Sequence, residues 1–164
     1  MPLRWPRLRS RAVWSTPRQR WPPLNDAVPR LPLALVDYFF LNEVEAAALL
    51  GHTAEEDPLA AARELRERFG VKNAVLTLGA AGSVFSGAAG DYAQTALPAE
   101  PVDTTGAGDT FAGFFLAGAL NGFDPQRALY FASAAAAIAI TRFGASASIP
   151  DRDEVLDRIR RDKG

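Results

Sequence analysis

The sequence contains no cysteine and a single histidine, His52. These shortages exclude disulfides, thiolate metal centres, cysteine nucleophiles and any cluster of histidine ligands. They also argue against a Ser-His-Asp hydrolase. Long apolar runs are missing as well. The longest, residues 131–140, is rich in alanine and too short to span a bilayer, so it reads as a buried helix and no membrane association is expected. Net charge is scarce: 18 Lys and Arg against 19 Asp and Glu leave −1 at pH 7, which offers no general case for nucleic-acid binding. With neither disulfides nor a signal-peptide pattern, the cytoplasm is the expected compartment. What the chain does have is size and apolar content. Its 164 residues are 48% hydrophobic, enough for one soluble domain with a substantial core.

The balanced total hides an asymmetry. Residues 1–30 hold seven arginines, six prolines and all three tryptophans, with no acidic residue before Asp26. The prolines interrupt any helical or strand period, so this segment is expected to be irregular. Three readings are open for it: a basic arm for an anionic partner, an arginine-rich transit leader, or a stretch foreign to the fold that arises from a wrong start or a shifted frame. Only the last accommodates the density of proline.

From residue 31 onward short apolar runs alternate with amphipathic stretches. Residues 36–41 (VDYFFL) read as a buried strand running up to Asn42, and 43–50 as a helix stopped by Gly51. Residues 58–69 form a clearer helix, with proline at its start, Leu59, Ala62, Leu65 and Phe69 on one face, and Gly70 as its stop. Residues 74–78 are the next strand, and this strand–helix–strand order predicts a parallel sheet with crossover helices. Residues 83–86 and 92–95 flank a turn containing Gly87 and Gly90, which suggests an edge hairpin. The second half reads as three helices, 107–120, 125–142 and about 152–161. The first is apolar nearly all round and is expected to be covered on most sides; the second is crowded with alanine, which permits close approach of another backbone.

The most informative stretch is Asp103-Thr-Thr-Gly-Ala-Gly-Asp109-Thr-Phe-Ala-Gly113, where an extended segment turns into that apolar helix. Gly106 and Gly108 permit backbone geometries that bulky residues resist. Successive amide N–H groups at a helix N-terminus make a concave anion site at the positive end of the helix dipole. Asp109 lies in the first helical turn, where its carboxylate can stay ionised and face the same spot. An anion hole with an adjacent base is the minimum for phosphoryl transfer to a hydroxyl. On spacing alone two plainer readings stay open, a tight turn for Gly-x-Gly and a cap for the Asp. The stretch is not a Walker A loop, because no Gly-Lys-Ser/Thr follows, and it lacks the third glycine of a dinucleotide fingerprint.

The run DTTGAGDTFAGFF closely resembles the C-terminal signature of the ribokinase-like, or PfkB, carbohydrate kinases. The resemblance implies that Gly106, Ala107 and Gly108 form the anion hole and that Asp109 is the catalytic base. Asn42-Glu43-Val44-Glu45 resembles the family's Asn-x-x-Glu motif, which implies that Asn42 and Glu45 help position magnesium and the phosphates. Without the resemblance, Glu43 and Glu45 read as solvated charges at a helix start. Thr77-Leu78-Gly79-Ala80-Ala81-Gly82 is similar to the family's strand-end loop that lies against ATP. Residues 140–150 resemble the loop that closes a monovalent-cation site, which implies that Asp103, Thr105, Gly144 and Ser148 face potassium, partly through backbone oxygens. Ser133 stands where some members place an asparagine near the nucleotide.

The resemblance covers about residues 31–153, so residues 31–164 are expected to be the ATP-binding and catalytic C-terminal part of such a kinase. It implies a three-layer α/β/α ribokinase-like fold whose N-terminal half and lid are missing. The implied reaction is ATP- and magnesium-dependent phosphoryl transfer to a primary hydroxyl of a small sugar. Two alternatives stand beside it. One is a kinase of the same fold acting on a nucleoside or vitamin precursor. The other is a non-catalytic nucleotide-binding portion, as a homodimer or completed by a partner that supplies the missing half. A parallel sheet without its first strands is expected to expose an edge and apolar surface.

Overall fold

The computed structural model describes residues 32–162 together with the two-residue strand Val13–Trp14. Other than that strand, the expectation of an irregular segment over residues 1–30 lies outside the described residues. In chain order the strands are β1 (Val13–Trp14), β2 (Phe39–Asn42), β3 (Asn73–Thr77), β4 (Ser83–Gly87) and β5 (Gly90–Gln94). The helices are α1 (Glu43–Leu50), α2 (Pro58–Phe69), α3 (Ala107–Leu120), α4 (Pro125–Ala139) and α5 (Arg152–Asp162). The sheet is mixed. β2 and β3 are parallel, β4 and β5 continue from β3 as an antiparallel hairpin, and the short β1 adds a parallel partner on the far side of β2.

Strand alternation sorts the core into two layers, because successive side chains point to opposite faces. Phe39, Leu41, Ala74, Leu76 and Val84 join the core packed by α1 and α2, including Leu49, Ala62 and Leu65. Phe40, Val75 and Phe85 face the other way, onto Phe111 and Phe115 of α3 and Leu129 and Ala132 of α4. The result is the expected three-layer α/β/α arrangement. Parallel β2 and β3 require a crossover, and α1 and α2 supply it.

Local chemistry explains where the helices begin and stop. Asp57 caps α2 by accepting from the Ala60 amide at 2.9 Å, Pro58 occupies the first helical position, and Gly70 ends the helix in the left-handed region at φ 66°. Phe115, 1% exposed, seats α3 on the sheet with edge-on contacts to Tyr38 and Phe40 and stacked contacts to Phe85 and Phe111. α3 and α4 approach closely at Gly118. A Cβ there would lie 3.0 Å from Phe123 and 3.6 Å from the Ala128 Cα.

The structure revises five of the sequence expectations. The strand expected from residue 36 starts at Phe39, because Val36 closes a short 3-10 turn by donating its amide to the Leu33 carbonyl at 2.9 Å. The strand expected over 74–78 lies one residue earlier, and the second hairpin strand begins at Gly90. The helix expected to run to Arg142 ends at Ala139. The Thr141 and Arg142 amides turn to carbonyls three residues back, those of Ile138 and Ala139, at 3.1 Å each, so the α-helical ladder stops there, and the Ile140 carbonyl accepts from the amides of Val102 and Asp103, at 2.7 and 3.1 Å. Finally, α3 is covered except along one exposed stripe. Thr110, Phe111, Phe115 and Gly118 are buried, but Asp109 and Gly113 are exposed and Leu120 is 38% exposed. No helix among the described residues is long and apolar enough to cross a membrane.

Candidate active site

Two groups of side chains and loops hold the residues singled out above. The first is built on α3. Gly106 is its N-cap, with φ 78°. A Cβ there would sit 3.2 Å from both Cα and O of Ala145, so the left-handed backbone and the close loop both call for glycine. The Ala107 amide donates to the Thr104 carbonyl at 3.2 Å and the Thr110 amide to the Gly106 carbonyl at 2.9 Å. The amides of Gly108 and Asp109, between them, are first-turn donors beyond the reach of any intrahelical acceptor. Gly108 differs from Gly106. Its φ is not positive, and a Cβ there would meet nothing within 4 Å. The fold gives no local reason for glycine at 108; an open backbone face is what its absent side chain provides. Asp109 follows, exposed, at the positive end of the helix.

Asp103 ties this turn to the loop after α4. One carboxylate oxygen accepts from the Thr105 amide at 2.9 Å, and the other from the Gly144 amide at 2.9 Å. These bonds, Gly144's first, hold the Asp103 carboxyl below its ordinary pKa. Gly144 itself is left-handed at φ 89°. Ser148 is fully buried and donates its hydroxyl to the Ala145 carbonyl at 3.0 Å. Asp103, Thr105, Gly144 and Gly106 therefore do meet, as two loops clasped through one carboxylate, while Ser148 braces the second loop from inside. Each side-chain oxygen of Asp103 accepts one of these backbone bonds.

The second group lies at the ends of parallel β2 and β3, where Asn42 and Thr77 are register partners. The carboxyl ends of such strands are where α/β folds bind ligands. Asn42 and Glu45 form a reciprocal capping box: the Asn42 side chain accepts from the Glu45 amide at 2.8 Å, and Glu45 Oε2 accepts from the Asn42 amide at 3.0 Å. Burial, with nearby Glu43 adding to it, pushes the Glu45 carboxyl above its ordinary pKa despite that backbone bond. The loop after β3 folds as a short 3-10 turn over Gly79–Ala81, closed by the Leu78 amide on the Gly82 carbonyl at 2.8 Å. Gly79, Ala80 and Ala81 are exposed, and Gly82, at φ 108°, lies so close to the backbone of residues 94–96 that no side chain fits. Ser133 is buried in α4, 7% exposed.

No hydrogen bond or ion pair among the described residues joins the two groups. Three features escaped the sequence reading. Glu43, taken as a solvated charge, brings its carboxylate within 3.9 Å of where a Gly79 side chain would start. The Thr110 hydroxyl, one residue after Asp109, is buried without a hydrogen-bond partner. Gly113 is an exposed glycine inside a helix, and its only sequence signal was that interruption of an otherwise apolar run. As donors for a divalent cation, Glu43 and Glu45 offer oxygen, and no described group of three or more acidic or histidine side chains is present. That set suits magnesium, which usually takes one or two carboxylates and fills its remaining positions with phosphate and water oxygens.

These features define an α/β protein with first-turn amides bare at a helix N-terminus, an exposed carboxylate beside them and an exposed glycine-bearing turn at the strand ends. Residues 11–152 match the family model described as pfkB family carbohydrate kinase. The chain belongs to that family. Ribokinase of Haemophilus influenzae is 36% identical over 126 residues, which cover 76% of this chain and 41% of that enzyme. The structure of Arabidopsis thaliana ribokinase complexed with ribose and ATP superposes with a TM-score of 0.72 at 35% identity, covering 78% of this chain and 42% of that one. A putative ribokinase II of Escherichia coli, in complex with ATP and magnesium, gives 0.69 at 34% identity, covering 83% and 42%. The chain thus spans about two fifths of the length of these relatives. The family match also begins earlier than residue 31, and reaches into the arginine- and proline-rich segment.

Proposed function

We propose that this chain is the phosphate-handling, base-bearing portion of an ATP-dependent kinase whose acceptor is a hydroxyl of a small sugar. The observation that carries the reading is the first turn of α3, where Gly108, free of any local structural demand, bares two amides beside the exposed Asp109. Those amides are aimed at the oxygens of a phosphoryl group in transfer, and the fixed loop clasp through Asp103 keeps them there without reorganisation. Asp109 accepts the acceptor's hydroxyl proton as the new oxygen–phosphorus bond forms and the bond to the departing ADP breaks. The loop over Thr77, Leu78, Gly79, Ala80, Ala81 and Gly82 lies along the nucleotide. Magnesium, held by Glu45 and organised by Asn42, supplies charge neutralisation at the phosphates when bound. Asp103, Thr105, Gly144 and Ser148 frame a place for potassium lined by backbone oxygens.

The test is ATP binding by calorimetry, followed on the same sample by ADP release with a panel of sugars that starts with ribose. Asp109→Asn is expected to keep ATP binding and to lose turnover by a factor of at least about a hundred, the usual scale of a general base. Turnover retained in that variant removes Asp109 from the mechanism. The short coverage of the relatives favours a second outcome, ATP binding without ADP release for any acceptor. That result identifies a nucleotide-binding portion whose acceptor contacts lie elsewhere.

A further inference from the structure

The loop that backs the glycine turn is held at one end by the Ile140 carbonyl, which accepts from the Val102 and Asp103 amides, and at the other by buried Ser148 and Pro150. Its middle meets the turn. Ala145 lies against Gly106, and the Gly144 amide donates to Asp103. Phe143, just before, is 78% exposed, so burial does not hold the loop there. Arg142 is anchored instead: its Nη1 and Nη2 donate to the two carboxylate oxygens of Glu154, in the first turn of α5. Glu154 is itself fixed, since its Oε2 accepts from the Asp151 amide at 3.0 Å and its own amide donates to Asp151 Oδ1 at 2.9 Å. Arg142 foremost, then the Asp151 amide, hold the Glu154 carboxyl below its ordinary pKa, so the pair is ionised at neutral pH.

An ion pair between partly exposed side chains usually adds little stability, and the exceptions are two-point arginine–carboxylate contacts within a network. Docking α5 does not depend on this one. Fully buried Val155, with Leu156 and Ile159, already packs the helix onto Phe131, Ala134 and Ala135 of α4. What the pair adds lies on the side of the loop, where Arg142 stands two residues before Gly144. We infer that Arg142 and Glu154 are positioning residues for the proposed phosphoryl site: their two-point pair fixes residues 142–144 against the start of α5, which holds the Gly144 amide on Asp103 and Ala145 behind Gly106. The first turn of α3 is thereby set from outside its own helix. Both residues act through the clasp and not on a ligand. The inference rests on the kinase reading only for what that turn binds.

The readout is amide exchange by NMR on the full chain at fixed pH, with the Ala60 amide, capped by Asp57 on α2, as internal reference. Glu154→Gln still accepts the Asp151 amide but cannot pair with Arg142 as an anion, so it separates the pair from the cap. In this variant protection of the Gly144 and Thr105 amides should fall about fivefold relative to Ala60, the scale of a well-formed exposed pair, with little change in Tm. Arg142→Lys, which keeps the charge without the planar fork, should lose less. Asp151→Ala does the reverse: it weakens the start of α5 and melts lower, yet should leave Gly144 protected. ATP affinity, measured by calorimetry on the same variants, should follow Gly144 protection and not Tm. Unchanged Gly144 protection in Glu154→Gln overturns the inference, and so does an equal loss in Asp151→Ala, which reduces the pair to support for α5. Protection that falls while Glu154→Gln binds ATP as tightly as the parent also overturns it and leaves the kinase reading intact. A parent that binds no ATP sinks the kinase reading instead, and Gly144 protection still decides whether the pair sets the turn.

Discussion

Gly106 and Gly108 stand two residues apart in one motif, and the structure gives them opposite surroundings, so replacing each with alanine separates the demands of the fold from the chemistry proposed above. At Gly106 an alanine must hold φ near 78° and place its Cβ 3.2 Å from Ala145. The left-handed backbone costs about 1–2 kcal/mol for a residue with a Cβ. The close contact adds to this, since the Ala145 atoms it meets are mostly backbone and give way only if the loop clasped by Asp103 shifts. A total of roughly 2–3 kcal/mol corresponds to a fall in Tm of several degrees, at about 2–4 °C per kcal/mol for a chain of this size. At Gly108 the φ is not positive and the space is empty, so alanine is neutral or stabilising by up to about 1 kcal/mol through helix propensity. That same methyl group enters the space over the bare amides. ATP affinity or turnover should therefore fall about tenfold or more, equivalent to about 1.4 kcal/mol of lost binding or transition-state stabilisation. Calorimetric melts and ATP titrations on the two variants decide it. If Gly108→Ala destabilises as much as Gly106→Ala, or handles ATP like the parent, the assignment of Gly108 to a ligand is wrong.

Other outcomes follow from the same geometry. Glu45→Gln preserves the capping box, since glutamine also accepts the Asn42 amide, so the fold should hold while the magnesium concentration needed for ATP binding rises; a magnesium titration checks this. Asn42→Ala removes the cap itself and should cost about 1 kcal/mol, read from denaturant melts. The Asp103 carboxyl titrates below its unfolded value, so its contribution to stability is complete above the ordinary carboxylate range and is lost as pH falls through the depressed folded value. Protection of the Gly144 amide, its exchange rate relative to the intrinsic rate at each pH, should fall over that acidic window in the parent and be insensitive to it in Asp103→Ala; a parent with no such fall would show that the clasp does not depend on charge. Phe115→Ala, which empties the contact between α3 and the sheet, should cost about 3–5 kcal/mol in a denaturant melt.

Much of this protein was legible from local signals. The three helices whose ends were read to the residue, Glu43–Leu50, Pro58–Phe69 and Ala107–Leu120, owe this to chemistry that acts within a few residues: a glycine after the last position in the first, a proline at the first position and a glycine after the last in the second, a glycine N-cap in the third. Short, nearly continuous apolar strands separated by helices likewise announced a parallel sheet with crossover helices. The ends that were misread turn on individual backbone bonds that no sequence pattern reports. α4 stops at Ala139 because the amides of Thr141 and Arg142 turn to carbonyls three residues back, and Val36 leaves the strand because Leu33 holds its amide.

The candidate site divides along the same line. By itself the sequence determined that a glycine-rich turn precedes a helix with an aspartate in its first turn, since φ preference and helix polarity are properties of neighbouring residues. Only the tertiary structure separated the two glycines of that turn, one required by the fold and one not. Ala145 fills the space at Gly106 and leaves the space at Gly108 empty, and no periodicity reports that difference. The same is true of α3. Its composition called for cover on most sides, and only packing against the sheet and α4 determined that Phe111, Phe115 and Gly118 are buried while Asp109, Gly113 and Leu120 stay exposed.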